Sequence, residues 1–186
     1  MVANLEATIE DLYAIKGKAE IINGEIVHMS PTGAAPNYAA LEISLSLHAY
    51  CKRTKAGFAI GDNAAFHVRL PNRKSFSPDA AYHTGKWTGM KFFEGAPVFA
   101  VEVRSEGDYG PAAERAMAQK RADYFAAGTL VVWDVDLLSS EVVKSYRAGE
   151  VEPSVFGRGQ TAEAEPAVPG WSMPVDDLFI DAELEN

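Results

Sequence analysis

Asp79, Glu102 and Lys120 stand where a chain built only for stability would favour neutral or apolar side chains. Asp79 follows Pro78 at a predicted strand start, in Ser77-Pro78-Asp79. Glu102 interrupts an apolar strand, in Val101-Glu102-Val103-Arg104. Lys120 follows Gln119 on the apolar stripe of a predicted helix, one turn before Tyr124. A carboxylate buried without a partner costs several kcal/mol, so each of these positions demands compensation. Two carboxylates can hold a hard divalent cation such as Mg²⁺ or Mn²⁺, which takes oxygen ligands and completes its shell with water and phosphate. A lysine beside them can orient water or offset charge on a phosphoryl group. The combination suits metal-assisted hydrolysis of a phosphodiester, with Asp79 and Glu102 as metal ligands. Each residue also has a plainer reading. Ser-Pro-Asp is a common turn, and Glu102 could simply pair with Arg104 or Lys120.

Such a site needs elements that bring distant residues together. Residues 19–22 and 25–28 flank Asn23-Gly24, a dipeptide that favours φ > 0 at both turn positions, which predicts a two-residue hairpin. Thr8 caps a short helix over residues 8–15. Residues 36–54 read as a helix with Leu41, Leu45, His48 and Lys52 along one face, Ile43 and Leu47 beside it, and Gly57 as its stop. Strands are predicted at 57–61, at 64–70 with Phe66, Val68 and Leu70 on one face, and at 79–83. Residues 84–96 read as loop. Residues 98–103 are nearly all apolar, the mark of a strand covered on both faces. On that strand Glu102 and Arg104 share a side with Ala100. Pro111 opens a helix that Gly128 ends. Ala113, Ala116, Met117, Lys120, Tyr124 and Ala127 form its stripe. Buried strand 130–135 and outer strand 141–146 follow, and 148–170 reads as loop. The order indicates an α/β domain with a mixed sheet, and 98–130 has the form of a crossover between neighbouring strands.

Composition sets the outer bounds. The 186 residues, 47% hydrophobic, suit one domain with a core at about 18–147 and a tail, 148–186, packing on it. No apolar run approaches the roughly 20 residues that span a bilayer. Residues 1–10 carry no signal-peptide core. Cys51, the only cysteine, allows neither an internal disulfide nor a thiolate zinc cage, so a cytoplasmic protein is expected. The net charge of −9 is uneven. Residues 1–93 carry 10 basic and 8 acidic side chains, whereas residues 94–186 carry 7 and 18, so any polyanion-binding face is expected in the first half. The four histidines have no metal-ligand spacing, and no serine or cysteine has a recognisable activating base.

The motifs resemble the PD-(D/E)XK nuclease superfamily, whose signature is an acid after proline followed by acid-x-lysine on the next strand. More narrowly, the chain is similar to the Uma-type restriction-endonuclease family of bacteria. The matching segments are Glu20-Ile21-Ile22-Asn23-Gly24-Glu25, Met29-Ser30-Pro31-Thr32-Gly33, Ser77-Pro78-Asp79, Val101-Glu102-Val103-Arg104-Ser105, residues 120–128, Trp133-Asp134-Val135-Asp136 and residues 169–179. The resemblance implies a restriction-endonuclease-like mixed sheet flanked by helices, with an N-terminal hairpin. It implies a Mg²⁺- or Mn²⁺-dependent endodeoxyribonuclease acting on DNA as a homodimer. It also supports Asp79, Glu102 and Lys120 as the catalytic set. Glu20, Arg104 and Tyr124 are accessory candidates, and Glu42 is a weaker one. Two departures stand out. Arg104 occupies the superfamily's lysine position, so Lys120 on the following helix takes that role, and Asn37 stands where similar proteins often carry histidine. The alternative is a nuclease fold without catalysis, serving as a nucleic-acid-binding or protein-binding module.

Overall fold

The structure, a computed structural model, describes residues 6–180; residues 1–5 of the N-terminal reading and 181–186 of the tail lie outside it. Helix α1 (Ile9–Tyr13) starts at Thr8 through a reciprocal capping box with Asp11. Strands β1 (Ala19–Ile22) and β2 (Glu25–His28) form the predicted hairpin, with φ of 50° at Asn23 and 77° at Gly24. The hairpin docks on the segment 72–74. Asn23 N–H donates to the Asn72 carbonyl, and Lys74 N–H to the Ile21 carbonyl.

Helix α2 (Ala34–Thr54) starts two residues before the predicted Pro36. A proline in the first turn loses a donor that has no intrahelical partner there anyway, so it does not mark the start. The helix ends at Lys55, left-handed at φ 58°, rather than at Gly57. Its buried side is Ala39, Ala40, Ile43, Leu47 and Tyr50, whereas Leu41 and Leu45, on the neighbouring face, are each 51% exposed. Two helical stripes run side by side on this segment. The one carrying Tyr50 faces the core, where the tyrosine hydroxyl donates to the Pro169 carbonyl.

Among the described residues, eleven further strands complete the pattern with a third helix. These are β3 (Phe58–Ile60), β4 (Phe66–His67), β5 (Ser75–Phe76), β6 (Ala80–His83), β7 (Phe93–Glu94), β8 (Phe99–Val103), β9 (Val131–Val135), β10 (Val143–Arg147), β11 (Ser154–Phe156) and β12 (Thr161–Glu163), with β13 (Ser172–Pro174) pairing on β12. The main sheet has the order β11-β10-β9-β8-β6-β3. Its only parallel pair is β8–β9, joined by helix α3 (Pro111–Ala126), which is the predicted crossover. A second sheet runs β5-β4-β7. The predicted strand 64–70 contracts to β4, although Phe66 and Val68 remain buried and Arg69 exposed. The presumed outer strand is covered by β11, and β11 and β12 occupy the presumed loop 148–170. Likewise β7 lies within the presumed loop 84–96. These strands are two or three residues long, too short for their alternation to register.

Two clusters of apolar side chains sandwich the main sheet. Phe99, Val101 and Val103 pack with Ile43, Leu47, Trp133, Trp171 and Leu178 on the α2 side. Ala81, Ala100 and Val132 pack with Phe76 and Tyr124 on the other. The alanines leave room there for the Phe76 and Tyr124 rings, stacked with centroids 3.9 Å apart. Among the described residues, no helix is long and apolar enough to cross a membrane.

Candidate active site

Period-two alternation puts Glu102 on the Ala100 side of β8, facing α3. The β6–β8 register pairs Ala80 with Val101, so Asp79 comes opposite Glu102. Pro78 cannot donate to a ladder, and regular pairing stops there. The Asp79 carboxylate then serves as an acceptor: Val103 N–H donates to Asp79 Oδ2 at 2.8 Å, while Asp79 N–H still reaches the Val101 carbonyl. Asp79 is thus fixed beside Glu102 by backbone bonds on both sides.

Helix α3 folds back over β8 and brings Lys120 and Tyr124, one turn apart, onto the same carboxylate. Lys120 Nζ lies 2.8 Å from Glu102 Oε2, and the Tyr124 hydroxyl donates to Glu102 Oε1 at 2.7 Å. Lys120 also lies 3.1 Å from Glu20 Oε1. Glu20, on β1, is fully buried and accepts Ser77 N–H at 2.9 Å, two residues before Asp79. Asp79, Glu102, Lys120, Glu20 and Tyr124 therefore belong to one connected cluster. Arg104 does not join it. Its guanidinium binds Asp134 through two hydrogen bonds, at 2.7 and 2.8 Å, and also pairs with Glu114 of α3. Glu42 sits half-buried on α2 apart from these pairs, and Asn37 is exposed in its first turn.

Sequence reading missed the cations and acids around this set. Arg73 is buried between Glu20 and Asp123; it pairs with Glu20 and donates to Asp123 Oδ2 at 2.9 Å. Asp123 Oδ1 also accepts from Asn72 and Gln119, each at 2.9 Å. Lys18 binds Asp79 Oδ1 at 2.7 Å and Asp62 Oδ1 at 2.6 Å. A faint signal existed for Asp123, since it stands three residues after Lys120 and four after Gln119 and so shares their helix face.

Charge in the cluster is unbalanced. Burial raises the Glu102 carboxyl pKa to about 7; the Lys120 ammonium pulls against this, but Asp79 and Glu20 add to the rise. Burial works against the Lys120 charge too, yet Glu102, Glu20 and Asp79 together hold its proton well above the ordinary lysine value. The two directions agree physically, because five carboxylates (Glu20, Asp62, Asp79, Glu102 and Asp123) share three cations (Lys18, Arg73 and Lys120). Burial also pushes Glu20 upward, but Lys120 and Arg73 outweigh it and keep its pKa low. Burial, then Glu102, drives the Tyr124 phenol far upward, so it stays a donor.

Glu102 thus holds a proton in the folded protein over a pH range where the unfolded chain releases it. Its favourable contribution is complete below pH 4.5 and is lost as pH rises through about 7. Without metal, the Glu102→Gln variant should gain stability relative to the native protein between pH 5 and 8, by at most about 3 kcal/mol. Thermal melts of both across that range test this; a pH-independent difference contradicts it.

A divalent cation suits this donor set. The excess of acid over ammonium is the imbalance that such an ion relieves, and the carboxylates are hard oxygen donors. Among the described residues, no three His, Cys, Asp or Glu side chains are arranged as a metal-holding group.

A putative nuclease belonging to DUF820 from Anabaena variabilis ATCC 29413, known from its crystal structure, shares the fold. The TM-score is 0.73 at 16% sequence identity, over 93% of this chain and 97% of that one. No curated protein matches the chain significantly. A family description, "Uma2: Putative restriction endonuclease", matches residues 8–176. With a match over nearly its whole length, the chain belongs to the Uma2 family.

Proposed function

We propose that the protein is a Mg²⁺- or Mn²⁺-dependent endodeoxyribonuclease that hydrolyses phosphodiester bonds in DNA. The observation that carries this reading is the meeting of Asp79 and Glu102, from paired strands, with Lys120 on the Glu102 carboxylate. Asp79 and Glu102 would hold the cation, which when bound polarises a phosphoryl oxygen and lowers the pKa of a coordinated water. Lys120, held protonated, acts as a fixed positive charge rather than a base. It orients water and offsets the charge that develops on the phosphoryl oxygens. Tyr124 fixes the rotamer of Glu102. Glu20, with its oxygens taken by Arg73, Ser77 N–H and Lys120, braces the lysine. Cutting both strands of a duplex takes two such sites, so a cytoplasmic homodimer is part of the proposal.

The metal titration is the direct test. Calorimetry with Mn²⁺ should show binding in the native protein that disappears in both Asp79→Ala and Glu102→Ala, alongside divalent-dependent cutting of duplex DNA. One observation favours the non-catalytic module: every carboxylate oxygen of Asp79 and Glu102 already has a protein donor, namely Lys18, Val103 N–H, Lys120 or Tyr124. DNA retained without metal uptake or cleavage would establish that module.

A further inference from the structure

Two lysines flank the Asp79–Glu102 pair, and the chemistry above uses only Lys120. Lys18 stands just ahead of β1, two residues before the buried Glu20. Its ammonium bridges Asp79 Oδ1 and Asp62 Oδ1 at 2.7 and 2.6 Å. The side chains of Lys18, Asp79 and Asp62 are 18%, 20% and 37% exposed. Glu20 and Tyr124, on the inner side of the cluster, are sealed from solvent. Glu102 lies near enough to act on Lys18 electrostatically. Lys18 is as open to solvent as Lys120, whose side chain is 16% exposed, and its partner Asp62 lies at the exposed margin of the cluster.

Its two partners are unequal. Asp79 is a candidate metal ligand, whereas Asp62 belongs to the loop after β3 and lies outside the buried cluster. A second cation drawn to Asp79 weakens the hold of that carboxylate on Lys18 and repels the ammonium. Asp62 keeps the ammonium close. A flexible four-carbon stem ending in a compact charge is well suited to exchanging one oxyanion for another, and lysine is a common phosphate binder.

We propose that Lys18 is a substrate-binding residue, its ammonium parked between Asp62 and Asp79 in the free protein and transferred to a backbone phosphate oxygen of bound DNA. The inference rests on the nuclease reading above. The transfer exchanges ion pairs; no covalent bond forms or breaks.

The test compares the native protein with Lys18→Gln, Lys18→Arg and Asp62→Asn. Binding of a fluorescent DNA duplex is followed by anisotropy in Ca²⁺ over a salt series, and Mn²⁺ uptake without DNA by calorimetry. Lys18→Gln should weaken duplex binding and flatten the plot of log affinity against log salt by about 0.9, the loss of one phosphate contact. Lys18→Arg should keep the slope. Without the resident ammonium, Lys18→Gln should also bind Mn²⁺ about tenfold more tightly, the scale of one nearby unit charge. Asp62→Asn, which removes the acid competing with phosphate, should tighten duplex binding; this result stands even if Lys18→Gln fails to fold. An unchanged slope in Lys18→Gln, weaker Mn²⁺ uptake by it, or weaker DNA binding by Asp62→Asn overturns the proposal. A native protein that binds duplex without cutting it overturns the nuclease reading and leaves the Lys18 slope readable. One that binds no duplex at any salt overturns both.

Discussion

Lys120→Met, under the nuclease proposal, is expected to reduce DNA cleavage by about 10²–10³-fold, the usual cost of losing one preorganised group that stabilises transition-state charge. The same change should destabilise the fold by about 3–5 kcal/mol, because it leaves the buried Glu102 without its cation and takes one of two from Glu20. Glu20 is fully buried and Glu102 nearly so, and Lys120 is the ammonium they share. Stability and catalysis separate in a double variant. Adding Glu102→Gln to Lys120→Met removes one stranded charge and keeps an amide of similar shape for the Tyr124 hydroxyl. Most of the lost stability should return, as measured by urea midpoint, while cleavage stays lost. Full cleavage by Lys120→Met in its folded state would reduce the lysine to a structural ion pair.

Arg73→Met is expected to cost about 3–5 kcal/mol, again because a buried charge pair loses one partner. The guanidinium bridges two acids from different elements, Glu20 on β1 and Asp123 on α3, and lies over the Phe76 ring with its carbon 4.9 Å from the centroid. Arg73→Lys should recover only part of the loss, since a single ammonium cannot reproduce the fork that reaches both carboxylates. Chemical denaturation of the three proteins measures this ladder. A loss under about 1 kcal/mol for Arg73→Met would place Arg73 among ordinary surface pairs. Arg73 also braces Glu20, which in turn contacts Lys120, so Arg73→Lys should lower the cleavage rate more than substrate affinity.

Some of this was legible in the chain. Asn23-Gly24 announced the hairpin because two consecutive positive φ angles are cheap there. Pro111 and Gly128 bracketed α3, and the apolar run around Glu102 identified the central strand. Lys120 was found because a charge on an apolar helical stripe needs a partner, and the nearest acid in the preceding strand, 18 residues away, proved to be that partner. Helix α2 shows where the pattern fails. Leu41 and Leu45 formed as regular a stripe as Ile43 and Leu47, and only packing against the sheet chose between them.

By itself the sequence determined which residue types were out of place and which short-range geometries they would adopt, since turn preference, helical period and strand alternation act over a few residues. The tertiary structure alone decided the partners that lie far apart in the chain. Arg73 meets Glu20 across 53 positions and Asp123 across 50, and Lys18 meets Asp79 across 61. Ion-pair attraction in a folded chain depends on distance through space and on exclusion of water, and neither is written in the order of residues until the sheet and helices close around them.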